Sequence, residues 1–383
     1  MSIDLPPFPH HPPEKWMSDI PDSIHINKLR IPGTHNSGTG SKPSKKFISK
    51  AANFAAYCHT LDIMAQLNSG IRYIDVRLKY EPNGELNVYH KVVRYDITFS
   101  DILNIISDFL TANSEECIMI RLHREDGDPG GTYRLNNVSD KMFVDALVAN
   151  LHEFEEKERA KRIIERDQNN TSNENNENKS NNINNESNNE NNNDEYLNAI
   201  YNKESDNPLL GEVRRKIILF GVRHVADIEL LRDSPFKFRE INKQAEFKLK
   251  CNDIDVEKKK DTIIDGFRKS TSNEFQNSLF VNEINAIGSL PVLSFIPCPR
   301  KMAEIMNNIT ESILIQLIKN KTENNNNILN ESNNENHNAI ISNSGQNENN
   351  YYENDFQGVL MFDFPEISKG GNLIELVYCQ NFI

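Results

Sequence analysis

The chain has 383 residues, 37% hydrophobic and 26% charged, enough to bury one large core, and it carries a net charge of −13. That sign, with no basic stretch interleaved with aromatics, excludes a nucleic-acid-binding surface. The cysteines Cys58, Cys117, Cys251, Cys298 and Cys379 are an odd number with no CxxC pair, so buried reduced thiols are expected rather than a disulfide or zinc framework.

The amino-terminal MSIDLPPFPHHPPEKW lacks the basic-then-apolar pattern of a secretory leader, and no later run approaches the ~20 apolar residues of a membrane span. A cytoplasmic protein is expected, monomeric, soluble or peripheral, with Phe8 and Trp16 on a strap across the fold. Runs rich in Ile and Val then read as strands at 24–31, 71–78, 86–90, 117–122, 216–221, 246–251, 278–284 and 358–364. Helical periodicity lies between them at 46–67, 98–110, 141–165, 256–276, 299–319 and 371–382; Thr98 and Asp101 resemble a capping box. The alternation predicts an α/β chain, either a (β/α)8 TIM-type barrel or a doubly wound open sheet.

Two stretches break the pattern. Residues 168–195 hold 15 asparagines in 28 positions, and 322–350 hold 13 in 29. Such segments bury too little apolar surface to offset the entropy of ordering, so 168–195 and 322–354 read as disordered insertions in a single domain spanning 1–383. They also hold most of the acidity: −5 in the first stretch and −6 in 322–355.

Chemistry-capable side chains fall at the carboxyl ends of the expected strands. In chain order they are His35, Asp75 with Arg77, His90, His123 with Arg124, Arg223, Asp253, Glu283 and Asp363. A barrel gathers such residues on one rim, whereas an open sheet concentrates them at one switch point, so this distribution favours the barrel. Taken singly, each has a plainer reading: His90 and His123 as satisfied strand-end histidines, Asp75 and Arg77 as a same-face ion pair, Asp363 as a helix cap. Together, two imidazoles, a guanidinium and carboxylates suit cleavage of a phosphodiester by an internal hydroxyl. One imidazole takes a proton, the other gives one, and the guanidinium holds the phosphate.

These residues carry a resemblance. IPGTHNSGT (31–39), GIRYIDVR (70–77) and VYH (88–90), with ECIMIRLHRE (116–125), LGEVRRKIILF (210–220) and GVLMFDF (358–364), resemble the phosphatidylinositol-specific phospholipase C X-region family, especially its small, metal-independent bacterial members. The resemblance implies a distorted barrel and cleavage to diacylglycerol and inositol 1,2-cyclic phosphate without a cofactor. By it, His35 is the general base with Asp363 behind it, His90 the general acid, Arg77 the phosphate ligand and Asp75 a supporting carboxylate. Asn36, His123, Arg124, Asp253 and Arg223 would line the substrate.

Asn36 departs from the bacterial pattern, which has aspartate there to assist the acid; calcium-dependent relatives have asparagine. Arg77 stands where those relatives have an acidic ligand, so no metal is expected and calcium is the alternative. In KKFISKAANFAAY, Lys45, Lys46 and Lys50 with Phe47 and Phe54 suit a helix docked on a phosphatidylinositol-containing membrane, or a barrel helix packed inward. Cleavage of glycosylated phosphatidylinositol anchors, and a catalytically degraded inositol-lipid-binding protein, remain open alternatives.

Overall fold

The computed structural model describes residues 11–45, 53–125, 138–174, 197–225, 227–244, 253–286, 298–332 and 355–383. Its strands are β1 (Arg30–Thr34), β2 (Tyr73–Tyr80), β3 (Leu86–His90), β4 (Val93–Thr98), β5 (Ile118–Arg124), β6 (Ile217–Arg223), β7 (Asn242–Gln244), β8 (Phe280–Glu283) and β9 (Gly358–Phe362). Parallel ladders connect β7, β8, β9, β1, β2, β5 and β6 in that order. One parallel bridge, Phe220 to Arg239, joins β6 to the segment leading into β7, with Gly221 donating to the Arg239 carbonyl at 2.7 Å. The sheet therefore curls round on itself and meets at a seam of one bridge: a distorted, TIM-like barrel.

The helices are α1 (Ile63–Asn68), α2 (Phe99–Ala112), α3 (Asp140–Glu174), α4 (Leu210–Val213), α5 (Glu229–Arg232), α6 (Asp253–Ser270), α7 (Pro299–Ser332) and α8 (Leu373–Tyr378). α2 begins with the expected Thr98–Asp101 capping box and buries Phe99, Ile102, Leu103, Ile106, Phe109 and Leu110. Its spacing repeats every three or four residues, so one face meets the sheet.

Several expectations change. The first strand starts later, because Ile26–Lys28 form a 3-10 turn that buries Ile26 and lets the Asn27 amide donate to the Gln276 carbonyl at 2.7 Å. The segment 86–90 is no barrel strand: β3 pairs antiparallel with β2 and with β4, a hairpin arm the sequence did not reveal. The β3–β4 turn has Lys91 at φ 54° and no Gly or Asn, so the usual hairpin signal is missing. Residues 246–251, read as a strand, fall outside the described residues, and the short β7 lies just before them. α3 and α7 continue into both asparagine-rich stretches, to Glu174 and Ser332, since extending a nucleated helix costs little; 175–195 and 333–354 lie outside the described residues.

The strap is seen from His11 onward; Phe8 lies outside the described residues. Trp16 is fully buried and donates from Nε1 to the Gly70 carbonyl at 2.9 Å, just before β2. Beside it Arg72 and Glu116, both with fully buried side chains, pair at 2.6 Å. Losing either would leave an uncompensated buried charge, at about 3–5 kcal/mol. This closes the amino-terminal end of the barrel and leaves the opposite end for chemistry. No helix among the described residues is long and apolar enough to cross a membrane.

Candidate active site

Register explains how the carboxyl-end rim is assembled. β1 and β9 pair in step, with Thr34 opposite Phe362, so the next residues, His35 and Asp363, emerge side by side. His35 Nδ1 lies 2.9 Å from Asp363 Oδ1, and Arg77 Nη2 lies 2.7 Å from His35 Nε2. Because Arg77 can only donate, Nε2 is the acceptor, and the ring proton sits on Nδ1 facing Asp363. His59, buried behind, bonds from Nε2 to the His35 carbonyl at 2.5 Å.

On β2 and β5 the register sets Asp75 opposite Arg121 and Arg77 opposite His123. Asp75 is fully buried and carries four contacts: the Asn36 backbone N–H at 3.1 Å, His123 Nε2 at 3.0 Å, Arg77 Nε at 3.5 Å and Arg121 Nε at 3.7 Å. Burial opposes its charge, but His123, Arg121 and Arg77 outweigh it and hold the carboxyl well below its usual range. Burial also keeps the His123 pKa well below that of a free imidazole, against the pull of Asp75. Arg121 continues inward to Glu283 at 3.0 Å, which Lys243 also meets at 3.3 Å.

β2 runs on past its pairing with β1, and β3 folds back along that extension, so His90 arrives at the rim on a returning strand. His90 Nδ1 bonds the Ala56 carbonyl at 2.7 Å, and Asn36 Nδ2 lies 3.5 Å from each His90 ring nitrogen. Burial, then the charge of Arg77, lowers the His90 pKa to about 4. Glu125 ties the hairpin to the barrel, accepting from the Lys91 backbone N–H at 2.6 Å and lying 3.6 Å from Arg77 Nη1.

The segment IPGTHNSGTG (31–40) runs from β1 into the turn that carries His35 to the rim. Asn36, not a glycine, holds the left-handed conformation, at φ 50° and ψ 46°, which Asn tolerates better than most residues. The glycines allow close approach instead: a Cβ on Gly33 would meet Val359 at 2.7 Å, and one on Gly38 would meet Val88 of β3 at 2.7 Å.

The structure therefore groups His35, Asn36, Asp75, Arg77, His90, His123 and Asp363. Arg124 is turned away, paired with Asp140 and set against the Phe143 ring at 5.6 Å. Alternation explains this: on a strand, Arg121 and His123 share one face and Arg124 takes the other. Arg223, in register with His123, is exposed at the end of β6. Asp253 begins α6, and its side chain lies outside the described residues, as do Lys46, Phe47 and Lys50; Lys45 is exposed, and so is Phe54, at 64%. Sequence reasoning passed over Arg121, Glu125 and His59 as site residues. Only Arg121 had a visible signal, two positions before His123 in IMIRLHR.

Residues 30–166 match the family model "Phosphatidylinositol-specific phospholipase C, X domain". The match includes every grouped residue except Asp363. The chain is similar to the 1-phosphatidylinositol phosphodiesterases of Listeria monocytogenes (35% identical over 112 residues, 29% of this chain and 33% of that protein) and Staphylococcus aureus (23% over 212 residues, 55% and 51%). It thus spans between a third and about half of the length of these relatives. Among solved structures, the phosphatidylinositol-specific phospholipase C of Listeria monocytogenes superposes with a TM-score of 0.59 at 21% identity, covering 96% of this chain and 99% of that one. That likeness concerns the fold, a TIM-like barrel.

Proposed function

We propose that this chain is a phosphatidylinositol-specific phospholipase C, cleaving the lipid by attack of the inositol 2-hydroxyl on its own phosphodiester. The observation that carries the reading is the line Asp363, His35, Arg77, in which an oriented imidazole presents its acceptor nitrogen to a guanidinium. On binding, the phosphate draws Arg77 away from His35 Nε2, which frees that nitrogen to take the hydroxyl proton. The oxygen attacks phosphorus, and His90 protonates the departing diacylglycerol oxygen. Inositol 1,2-cyclic phosphate forms.

His90 must carry a proton to act as acid, yet its pKa of about 4 leaves it neutral at pH 7 in the free protein. The substrate corrects this: its phosphate adds a negative charge and offsets Arg77, the charge that opposes the imidazolium. Each proton transfer is worth about 10²–10⁴-fold, so the pair suffices for a large acceleration.

The donor set supports chemistry without calcium. A hard cation needs oxygen ligands, but Asp75 is already engaged by Asn36, His123 and two guanidiniums. Arg77 and Arg121 supply positive charge in its place. Membrane contact would use Lys45 and exposed Phe54, close to Ala56, whose carbonyl holds His90. The proposed substrate is thus phosphatidylinositol in a membrane surface, met by a protein that associates with it transiently.

Phosphorus NMR of the purified protein with phosphatidylinositol vesicles in excess chelator tests the reading. A cyclic inositol phosphate signal that vanishes in His35→Ala and His90→Ala variants is expected. Turnover only after calcium is added would overturn the metal-free mechanism, and vesicle binding without turnover would leave a lipid-binding protein.

A further inference from the structure

Cys58 is a buried thiol at the site that the proposed reaction does not use. A ring nitrogen of His35, the Cys58 sulfur and a carboxylate oxygen of Asp363 all lie within 4.8 Å of one another. The three residues are only 8%, 1% and 4% exposed. A fourth donor stands beside them: Asn36 Nδ2 lies 3.7 Å from the sulfur, and Asn36 Oδ1, also buried, has no hydrogen-bond partner. A half-turn of that amide exchanges the two atoms.

Nitrogen, sulfur and oxygen donors together suit a borderline-soft ion such as zinc, whereas calcium gains little from a thiolate. Tetrahedral zinc wants ligand atoms about 3.5 Å apart, so a contraction of about 1 Å closes the set. We infer that His35, Cys58 and Asp363 form an inhibitory site for a zinc-like divalent ion, which captures the base histidine. The inhibition rests on the reaction proposed above; the binding does not.

The proton accounting is simple. The Cys58 proton leaves for solvent as the sulfur–metal bond forms. The metal takes His35 Nδ1, and the proton held there moves to Nε2, which Arg77 must vacate; Asp75 and Glu125, 3.5 and 3.6 Å from the guanidinium, remain to hold it. With both ring nitrogens occupied, His35 cannot act as a base. Since one proton is released, inhibition tightens as pH rises.

The test titrates zinc into chelator-washed wild-type, Cys58→Ala and Cys58→Ser protein, following vesicle turnover and, separately, the thiolate-to-cobalt charge-transfer absorption with cobalt as probe. Zinc is expected to inhibit wild type reversibly while calcium does not. Both variants, checked for folding by circular dichroism, should keep basal turnover and need about tenfold more zinc or higher, with the cobalt band lost. The serine variant keeps nearly the original volume if alanine disturbs packing. Unchanged zinc sensitivity in the variants, or a cobalt band that persists without Cys58, overturns the site. A cobalt band specific to Cys58 in a protein that never turns over substrate would uphold the site and sink the proposed reaction.

Discussion

His35 hangs from a continuous parallel ladder: its neighbours Thr34 and Phe362 are paired, its carbonyl is held by His59, and Asp363 and Arg77 meet its two nitrogens. His90 ends one arm of a two-stranded hairpin, held by one carbonyl and faced by an amide where a carboxylate could have stood. In the proposed reaction the first half is organised before substrate arrives, and the second has its charge supplied by the substrate. Positioning a base needs only geometry, whereas keeping an acid protonated in a buried site needs a partner of opposite charge.

Variants can break this contrast in graded steps. Replacing His35 by alanine removes the organised half and should lower kcat by about 10⁴-fold, the upper end for one acid–base group, with vesicle binding retained in a sedimentation assay. Asp363→Asn keeps the shape but releases the tautomer, with an expected loss of about 10²-fold or more in kcat and little change in KM.

Stability probes the other half. The His90 pKa is about 4 when folded, against about 6.5 unfolded, so between these values the unfolded chain binds more protons. Stability should be undiminished above pH 6.5 and fall on acidification toward pH 4, by about 3 kcal/mol from His90 alone. Buried His123 and His59, also lowered, act in the same direction. His90→Gln should flatten the dependence in urea titrations; an unaltered slope would mean His90 is not held neutral.

Asn36→Asp places a carboxylate beside His90 and should make the two halves more alike. We expect kcat about 3–10-fold higher at neutral pH, with the alkaline limb of the rate profile moved upward. The smallest effect belongs to Phe54→Ala, which should weaken vesicle binding about 3–10-fold while monomeric substrate is cleaved at the normal rate.

Much of the rim was readable in advance because a parallel strand delivers its last residues to one end. His35, Arg77 and Asp363 needed only the strand ends to be found, and the 2-residue period of β2 put Asp75 with Arg77. His90 reaches the rim by a route the sequence does not suggest, an antiparallel hairpin whose Lys91 turn carries no glycine signal. Arg124 was misjudged by one position, since neighbouring strand residues face opposite sides.

Composition and pattern by themselves determined the α/β class, where the asparagine-rich stretches fall, and which strand ends carry ionisable groups, because periodicity and composition are local properties of the chain. The tertiary structure alone decided that Glu125 braces the site, that Asn36 rather than glycine makes the turn, and that Cys58 lies against the base. These depend on register and on contacts between distant segments, and such contacts leave no local trace.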